Sequence, residues 1–165
     1  MKTELLPAGP QDRAILRNLM QYYMYDFSEF EGVDVDARGR FPRYWPLPFY
    51  WKEPGRYAYL IRADSVLAGF ALAYQVEWRQ ETPVYWMAEF FVLRRYRRAG
   101  VGRSAACQVF DRLRGIWRVG QILANTPAQA FWRRIIAEYS AGRWHEELVN
   151  DPETWIGPVQ EFTNS

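Results

Sequence analysis

Three groups of residues in this chain have the types and spacing that chemistry needs. The first is a glycine turn behind a basic run: Arg94, Arg95, Arg97, Arg98 and Ala99 precede Gly100-Val101-Gly102, and Arg103 and Ser104 follow. Glycines let the backbone approach an anion closely, and the first turn of a following helix offers unpaired N–H groups at the positive end of its dipole. Arginines ahead of the turn add long-range attraction. A pyrophosphate fits that chemistry; the plainer alternative is a solvated basic connection between a strand and a helix. A Walker A loop ends in Gly-Lys-Ser/Thr, and here Gly102 is followed by Arg103. A dinucleotide fingerprint wants a third glycine where this chain has Ala105, although alanine is sometimes tolerated there.

The second group is a single carboxylate, Glu89, inside the apolar run Met87-Ala88-Glu89-Phe90-Phe91-Val92-Leu93. Burial there raises its pKa toward that of a useful base. Strand alternation puts Glu89 and Phe91 on one face and Phe90 and Val92 on the other, so its role depends on which face meets a cleft. The alternative is an edge-exposed or salt-bridged glutamate. The third group is acidic and aromatic: Asp26, Glu29, Glu31, Asp34 and Asp36 interleave with Tyr22, Tyr25, Phe27 and Phe30. These suit a cationic amine through charge pairing and cation–π contact, or else form a solvated acidic loop over packed rings.

The elements that position these groups follow from periodicity. Glu4 to Leu6 reads as a short strand, and Ile15, Leu16, Leu19, Met20 and Tyr23 make a helical stripe over residues 11–25. Residues 41–51 hold three prolines and six aromatics, which forbids both a long helix and a plain solvated loop. Residues 57–61 and 66–76 read as a hairpin, with Gly69 marking a bulge. Residues 77–83 form a polar connection to a long strand over 84–93. Ala106, Val109, Phe110 and Leu113 carry the helix after the glycine turn, with Gly115 as its C-cap. A strand over 117–124, a helix from Asn125-Thr126-Pro127 to Tyr139, and strands over 143–150 and 155–162 complete the chain.

The 165 residues, 49% hydrophobic and 24% charged, allow one domain with a proper core, residues 1–165. A net charge of +2 compels neither nucleic acid nor a membrane surface as partner. The single cysteine, Cys107, excludes an internal disulfide, and with one histidine, His145, no cluster of soft metal ligands is expected. No signal-peptide core or membrane span is visible, so a reducing cytoplasm is the expected location. Aromatics reach 18% of the chain, with eight tryptophans, more than a core of this size needs. Residues 41–51 therefore either cover an acceptor site or make a homodimer contact.

Arg97-Arg98-Ala99-Gly100-Val101-Gly102, set after a strand and before a helix, resembles the Arg/Gln-x-x-Gly-x-Gly/Ala signature of the GCN5-related N-acetyltransferases, the GNAT superfamily. Asn125 and Ala130-Phe131-Trp132 resemble a second family pattern, and the element order matches over nearly the whole chain, most closely over residues 84–139. The resemblance implies an α/β (α+β) fold with a central mixed, mostly antiparallel sheet of six or seven strands flanked by about four helices. It implies an N-acetyltransferase that moves an acetyl group from acetyl-CoA, its acyl-donor cosubstrate, to a primary amine of a small molecule, peptide or protein, with no metal, by direct attack in a ternary complex.

By that resemblance, Phe91, Val92 and Leu93 would meet the pantetheine arm. The amides of Arg97, Arg98, Ala99, Gly100, Val101 and Gly102, with Arg103 and Ser104, would hold the pyrophosphate. Asn125, Phe131 and Trp132 would lie along the sulfur end. Glu89 is the best candidate for the base that neutralises the amine. Trp132 stands where many relatives carry a tyrosine thought to protonate the leaving thiolate, and an indole N–H is a far poorer acid. Tyr139, two helical turns on, replaces it only if the cofactor lies further along the helix; otherwise it is a packing residue. Two rivals remain from other classes. A CoA-binding sensor or interaction module without turnover draws on Trp132, and an RNA-binding domain draws on the arginines and aromatics, against the small net charge.

Overall fold

Two-residue turns fold the middle of the chain back on itself. Asp64 and Ser65 have φ of 47° and 67°, and Gln80 and Glu81 have φ of 46° and 66°. Left-handed dihedrals at both turn positions match the twist of the flanking strands, so each pair closes a tight hairpin. The computed structural model describes residues 1–164. In chain order it has β1 (Thr3–Pro7), α1 (Arg13–Glu31), β2 (Arg56–Ala63), β3 (Val66–Arg79), β4 (Thr82–Val92), α2 (Val101–Arg112), β5 (Ile116–Gly120), α3 (Thr126–Tyr139), β6 (Trp144–Asp151) and β7 (Trp155–Thr163). The polar connection expected over 77–83 is thus mostly strand, reduced to its two turn residues.

The strands form a seven-stranded sheet in the order β1-β2-β3-β4-β5-β7-β6. β1 with β2, β5 with β7 and β6 with β7 are antiparallel, and β4 with β5 is parallel. The parallel register runs from Val84 opposite Ile116 to Trp86 opposite Arg118, whereas β4 itself continues to Val92.

Three α-helices are present among the described residues, where about four were expected. Between Gly32 and Arg56 the chain makes only a 3₁₀ turn, Leu47–Trp51, because Pro42, Pro46 and Pro48 each remove an N–H that a helix would need. α1 is longer than its apolar stripe suggested and takes in residues 26–31. Phe27 and Phe30 continue the stripe from Tyr23, and the helix stops where Gly32, at φ 61°, donates its N–H to Ser28 O (3.2 Å). β5 is shorter than expected and ends at Gly120.

Contacts within the chain divide it into two compact units. The first contains residues 1–72 and 89–102, with Leu5, Leu16, Met20, Ile61 and Phe70 fully buried. The second contains residues 73–88 and the described residues from Arg103 onward, around Trp117. That indole donates to Leu113 O (2.9 Å) and packs against Phe110 and Tyr85, with ring centroids at 5.0 and 5.3 Å. Gln121 and Gln160 exchange amide hydrogen bonds of 2.7 and 2.9 Å in this core, which satisfies two buried polar side chains that would otherwise be costly.

Candidate active site

In the first unit, the face of β4 that carries Glu89 and Phe91 packs against α1. The Tyr23 hydroxyl donates to Glu89 Oε2, and the Tyr23 ring lies edge-on to Phe91 and to Phe70, each at 5.8 Å. Tyr44, from the proline-punctuated segment, lies near enough to favour the charged form of the Glu89 carboxylate. Burial pushes the Glu89 pKa up to about 7, against the opposing pull of the two phenols, and the charge of Glu31 adds to the rise. Burial likewise holds the Tyr23 and Tyr44 hydroxyls well above the usual phenol value, with the neighbouring Glu89 charge second in each case. Glu89 is therefore poised to exchange a proton near neutral pH while both phenols stay protonated.

Backbone direction along the end of β4 follows from two contacts with β3. Leu93 N donates to Ala68 O (2.8 Å), and Phe91 O lies so close to Gly69 that a Cβ there would sit 2.0 Å from it. Gly69 is thus where the β4 backbone approaches β3 too closely for any side chain. Phe91 and Leu93 direct their backbone groups toward β3, so Val92 directs its own to the opposite edge. The Val92 carbonyl accepts from Arg97 Nε (2.7 Å).

The turn beyond β4 has the form an anion needs. After a short 3₁₀ turn, Arg94–Tyr96, Arg98 takes φ 59° and Gly100 φ 81°. Alternating left-handed residues curl a chain so that successive N–H groups converge. Residues 97–100 are exposed, Val101 is buried and anchors the start of α2, and nothing lies within 4 Å of a Cβ built on Gly100. These residues fit a phosphate group. The Arg94 and Arg97 side chains, however, are directed elsewhere. Asp26 on α1 accepts from Arg94 Nη2 (2.9 Å) and from Arg97 Nη2, and the Arg97 guanidinium lies 5.6 Å from the centre of the Phe91 ring.

The remaining sequence candidates belong to the second unit. Arg103 Nε donates to Glu138 (2.8 Å), and Ser104 Oγ accepts from Gln108 (3.2 Å). Asn125 is the N-cap of α3, its side-chain oxygen accepting from Ala128 N (3.1 Å). Trp132 is buried against Phe110 and the half-buried Phe131, at 6.3 and 5.0 Å. Tyr139 donates to Asp111 Oδ1 (2.8 Å) and accepts from Asn164 Nδ2 (3.3 Å), and its ring packs on Phe110 and Phe162 at 5.1 and 5.8 Å. Cys107 is half-buried, and burial raises its thiol pKa. His145 is exposed on β6.

Sequence reasoning did not find Tyr23 and Tyr44 as partners of Glu89, nor Asp26 as the partner of Arg94 and Arg97. Tyr23 did leave a signal: it ends an otherwise aliphatic stripe, which takes a hydroxyl to core depth, where it needs an acceptor. Tyr44 left none, because no periodicity fixes direction in a segment broken by prolines.

Among the described residues no three His, Cys, Asp or Glu side chains come together as metal ligands, and no helix is long and apolar enough to cross a membrane. The sequence matches the family model described as acetyltransferase (GNAT) family over residues 18–136. No curated protein matches it. The fold is similar to that of an acetyltransferase from Thermus thermophilus, at 16% identity and TM-score 0.66, over 99% of this chain and 98% of that one. It is also similar to an aminoglycoside acetyltransferase from an uncultured soil metagenomic sample, in complex with sisomicin, at 14% identity and TM-score 0.68, over 93% and 96% of the two chains. A PaiA N-acetyltransferase from Thermoplasma acidophilum, in complex with coenzyme A, matches at 10% identity and TM-score 0.65, over 99% and 100%.

Proposed function

The chain belongs to the acetyltransferase (GNAT) family, and on that premise we propose that it is an enzyme that moves an acetyl group from acetyl-CoA to a primary amine, by direct attack within a ternary complex. Acetyl-CoA supplies the acyl group as a thioester; the chain's own residues bind it, hold the amine and move the proton. The observation that carries the reading is Glu89, a half-buried carboxylate on β4 with a pKa pushed up to about 7 and the Tyr23 phenol hydrogen-bonded to it. A base of that strength takes a proton from an alkylammonium only part of the time, yet it does so without holding on to it, which is what turnover near neutral pH requires. The neutral nitrogen then forms its bond to the carbonyl carbon, the carbon–sulfur bond breaks, and the departing thiolate takes the proton that the attacking nitrogen gives up, leaving amide and thiol.

For the donor, the reading assigns the Val92 backbone and the amides of residues 97–102, supported by the curled, exposed turn and the open space beside Gly100. Phe91 and Leu93 support that edge from the β3 side. Arg103, Ser104, Asn125, Phe131 and Trp132 enter through the family resemblance. Tyr139 takes a packing role, which its bonds to Asp111 and Asn164 support. The rival reading, a CoA-binding module without turnover, gives no account of a base tuned to neutral pH. The whole chain acts as one catalytic domain in this proposal, with the cytoplasm as its setting.

The test is thiol release from acetyl-CoA in the presence of a panel of primary amines, with Gly100→Glu as control. That change puts a negative side chain into the proposed phosphate turn, so release and cofactor binding are both lost while the fold persists. Equal release by the variant contradicts the assignment.

A further inference from the structure

The sequence offers five acidic residues to a cationic acceptor, and the fold withdraws two of them. Asp26 is held by Arg94 and Arg97. Asp36 closes its own turn by accepting the backbone N–H groups of Arg38 (2.8 Å) and Arg40 (3.0 Å). Glu29, Glu31 and Asp34 are exposed, and of these Glu31 is the one whose charge acts on Glu89.

What adjoins Tyr23, the partner of Glu89, is aromatic. Tyr23, Phe27 and Phe30 recur at i, i+4 and i+7 along α1, with ring centroids 4.7 and 6.4 Å apart, and all three are half-buried. Tyr44, also half-buried, reaches the same carboxylate from the segment that follows α1. A stripe of this kind offers apolar surface for a hydrocarbon body and ring faces that attract one ammonium. A polyamine or an aminoglycoside brings several ammonium groups, and each one that reaches a partly dry site without a carboxylate partner costs binding.

From the single half-buried carboxylate and the aromatic stripe beside it we infer that the acceptor is a primary monoamine with an aromatic or otherwise apolar body, seated against Phe27 and Phe30 with its nitrogen on Glu89 between Tyr23 and Tyr44. This rests on the acyltransferase reading above and gives it a substrate class.

The test compares kcat/KM for 2-phenylethylamine, ethylamine, spermidine and sisomicin at saturating acetyl-CoA. In parallel, calorimetry measures binding of each amine to the CoA-saturated protein. The expected result is that 2-phenylethylamine exceeds spermidine and sisomicin by about tenfold or more. Phe30→Ala then narrows the ratio of 2-phenylethylamine to ethylamine about tenfold. Phe30→Leu, which keeps apolar volume but loses the ring, narrows it less, and a retained melting shift with CoA shows that either variant is folded. Preference for spermidine or sisomicin overturns the inference and leaves the acyltransferase reading standing. Binding of 2-phenylethylamine without turnover keeps the subsite and overturns the catalytic reading. If no amine binds or reacts, both fall.

Discussion

Tyr23 donates its hydroxyl to Glu89, so the helix that carries the aromatic stripe and the strand that leads to the glycine turn meet at one proton-bearing contact. The contact sets up a conflict between stability and chemistry. A phenol favours the charged carboxylate, burial disfavours it more strongly, and the balance leaves the pKa raised from 4.5 to about 7.

Glu89→Gln is expected to raise stability and lower activity together. Because the folded pKa lies above the unfolded one, the stabilising contribution of the protonated carboxyl is complete below about pH 4.5 and is lost as pH rises through about 7. Glutamine keeps one oxygen that accepts from Tyr23 and never ionises. The variant therefore gains on the order of 3 kcal/mol over the parent above pH 7 and little below pH 4.5, while thiol release falls by about a hundredfold or more. Melting temperatures of both proteins across that pH range, beside turnover, check the pair of effects.

Tyr44→Phe removes one donor to the charged carboxylate, so the Glu89 pKa climbs further. The acid limb of the pH–rate profile moves to higher pH, by less than about one unit, with the alkaline plateau retained. A profile that does not move separates Tyr44 from the base.

Asp26→Asn releases Arg94 and Arg97 from their shared partner. Exposed arginines contribute little to stability through such pairs, so the melting temperature drops by less than about 5 °C. With the carboxylate gone, the turn becomes more positive and affinity for CoA rises a few-fold at low ionic strength, a gain that shrinks at high salt. Calorimetric titration with CoA at two salt concentrations measures it.

Tyr139→Phe is expected to leave acetyl transfer within about twofold and to cost no more than about 1 kcal/mol of stability through the lost bonds to Asp111 and Asn164. A large fall in turnover with an unchanged melting temperature would return this tyrosine to the chemistry.

The residues that were legible in the sequence are those whose role is written in local order. The strand around Glu89, the glycine turn and the N-cap at Asn125 each follow from neighbours within one turn or one strand. Alternation along β4 correctly paired Glu89 with Phe91 on one face, and Tyr23 touches both. Contacts between distant segments were not legible. Asp26 looked like one of several acids awaiting a cation, because nothing in its surroundings in sequence announces that two arginines about 70 residues later will take it. Gly69 shows the same limit: a glycine in a strand announces that something comes close, and only the fold says that it is the Phe91 carbonyl. The end of α1 was misplaced because acidic residues 26–36 looked like loop, whereas the cap that stops the helix is Gly32.

The most direct test of the account is the shift in melting temperature produced by acetyl-CoA, CoA and ATP in parallel, for the parent protein and for Gly100→Glu. A ligand that binds only the folded state stabilises it with the logarithm of its excess over Kd. A clear rise is expected with acetyl-CoA and with CoA, little with ATP, and none with any of the three in the variant. An equal rise with ATP, or no rise with acetyl-CoA in the parent, would contradict it and reduce the glycine turn to a connection between a strand and a helix.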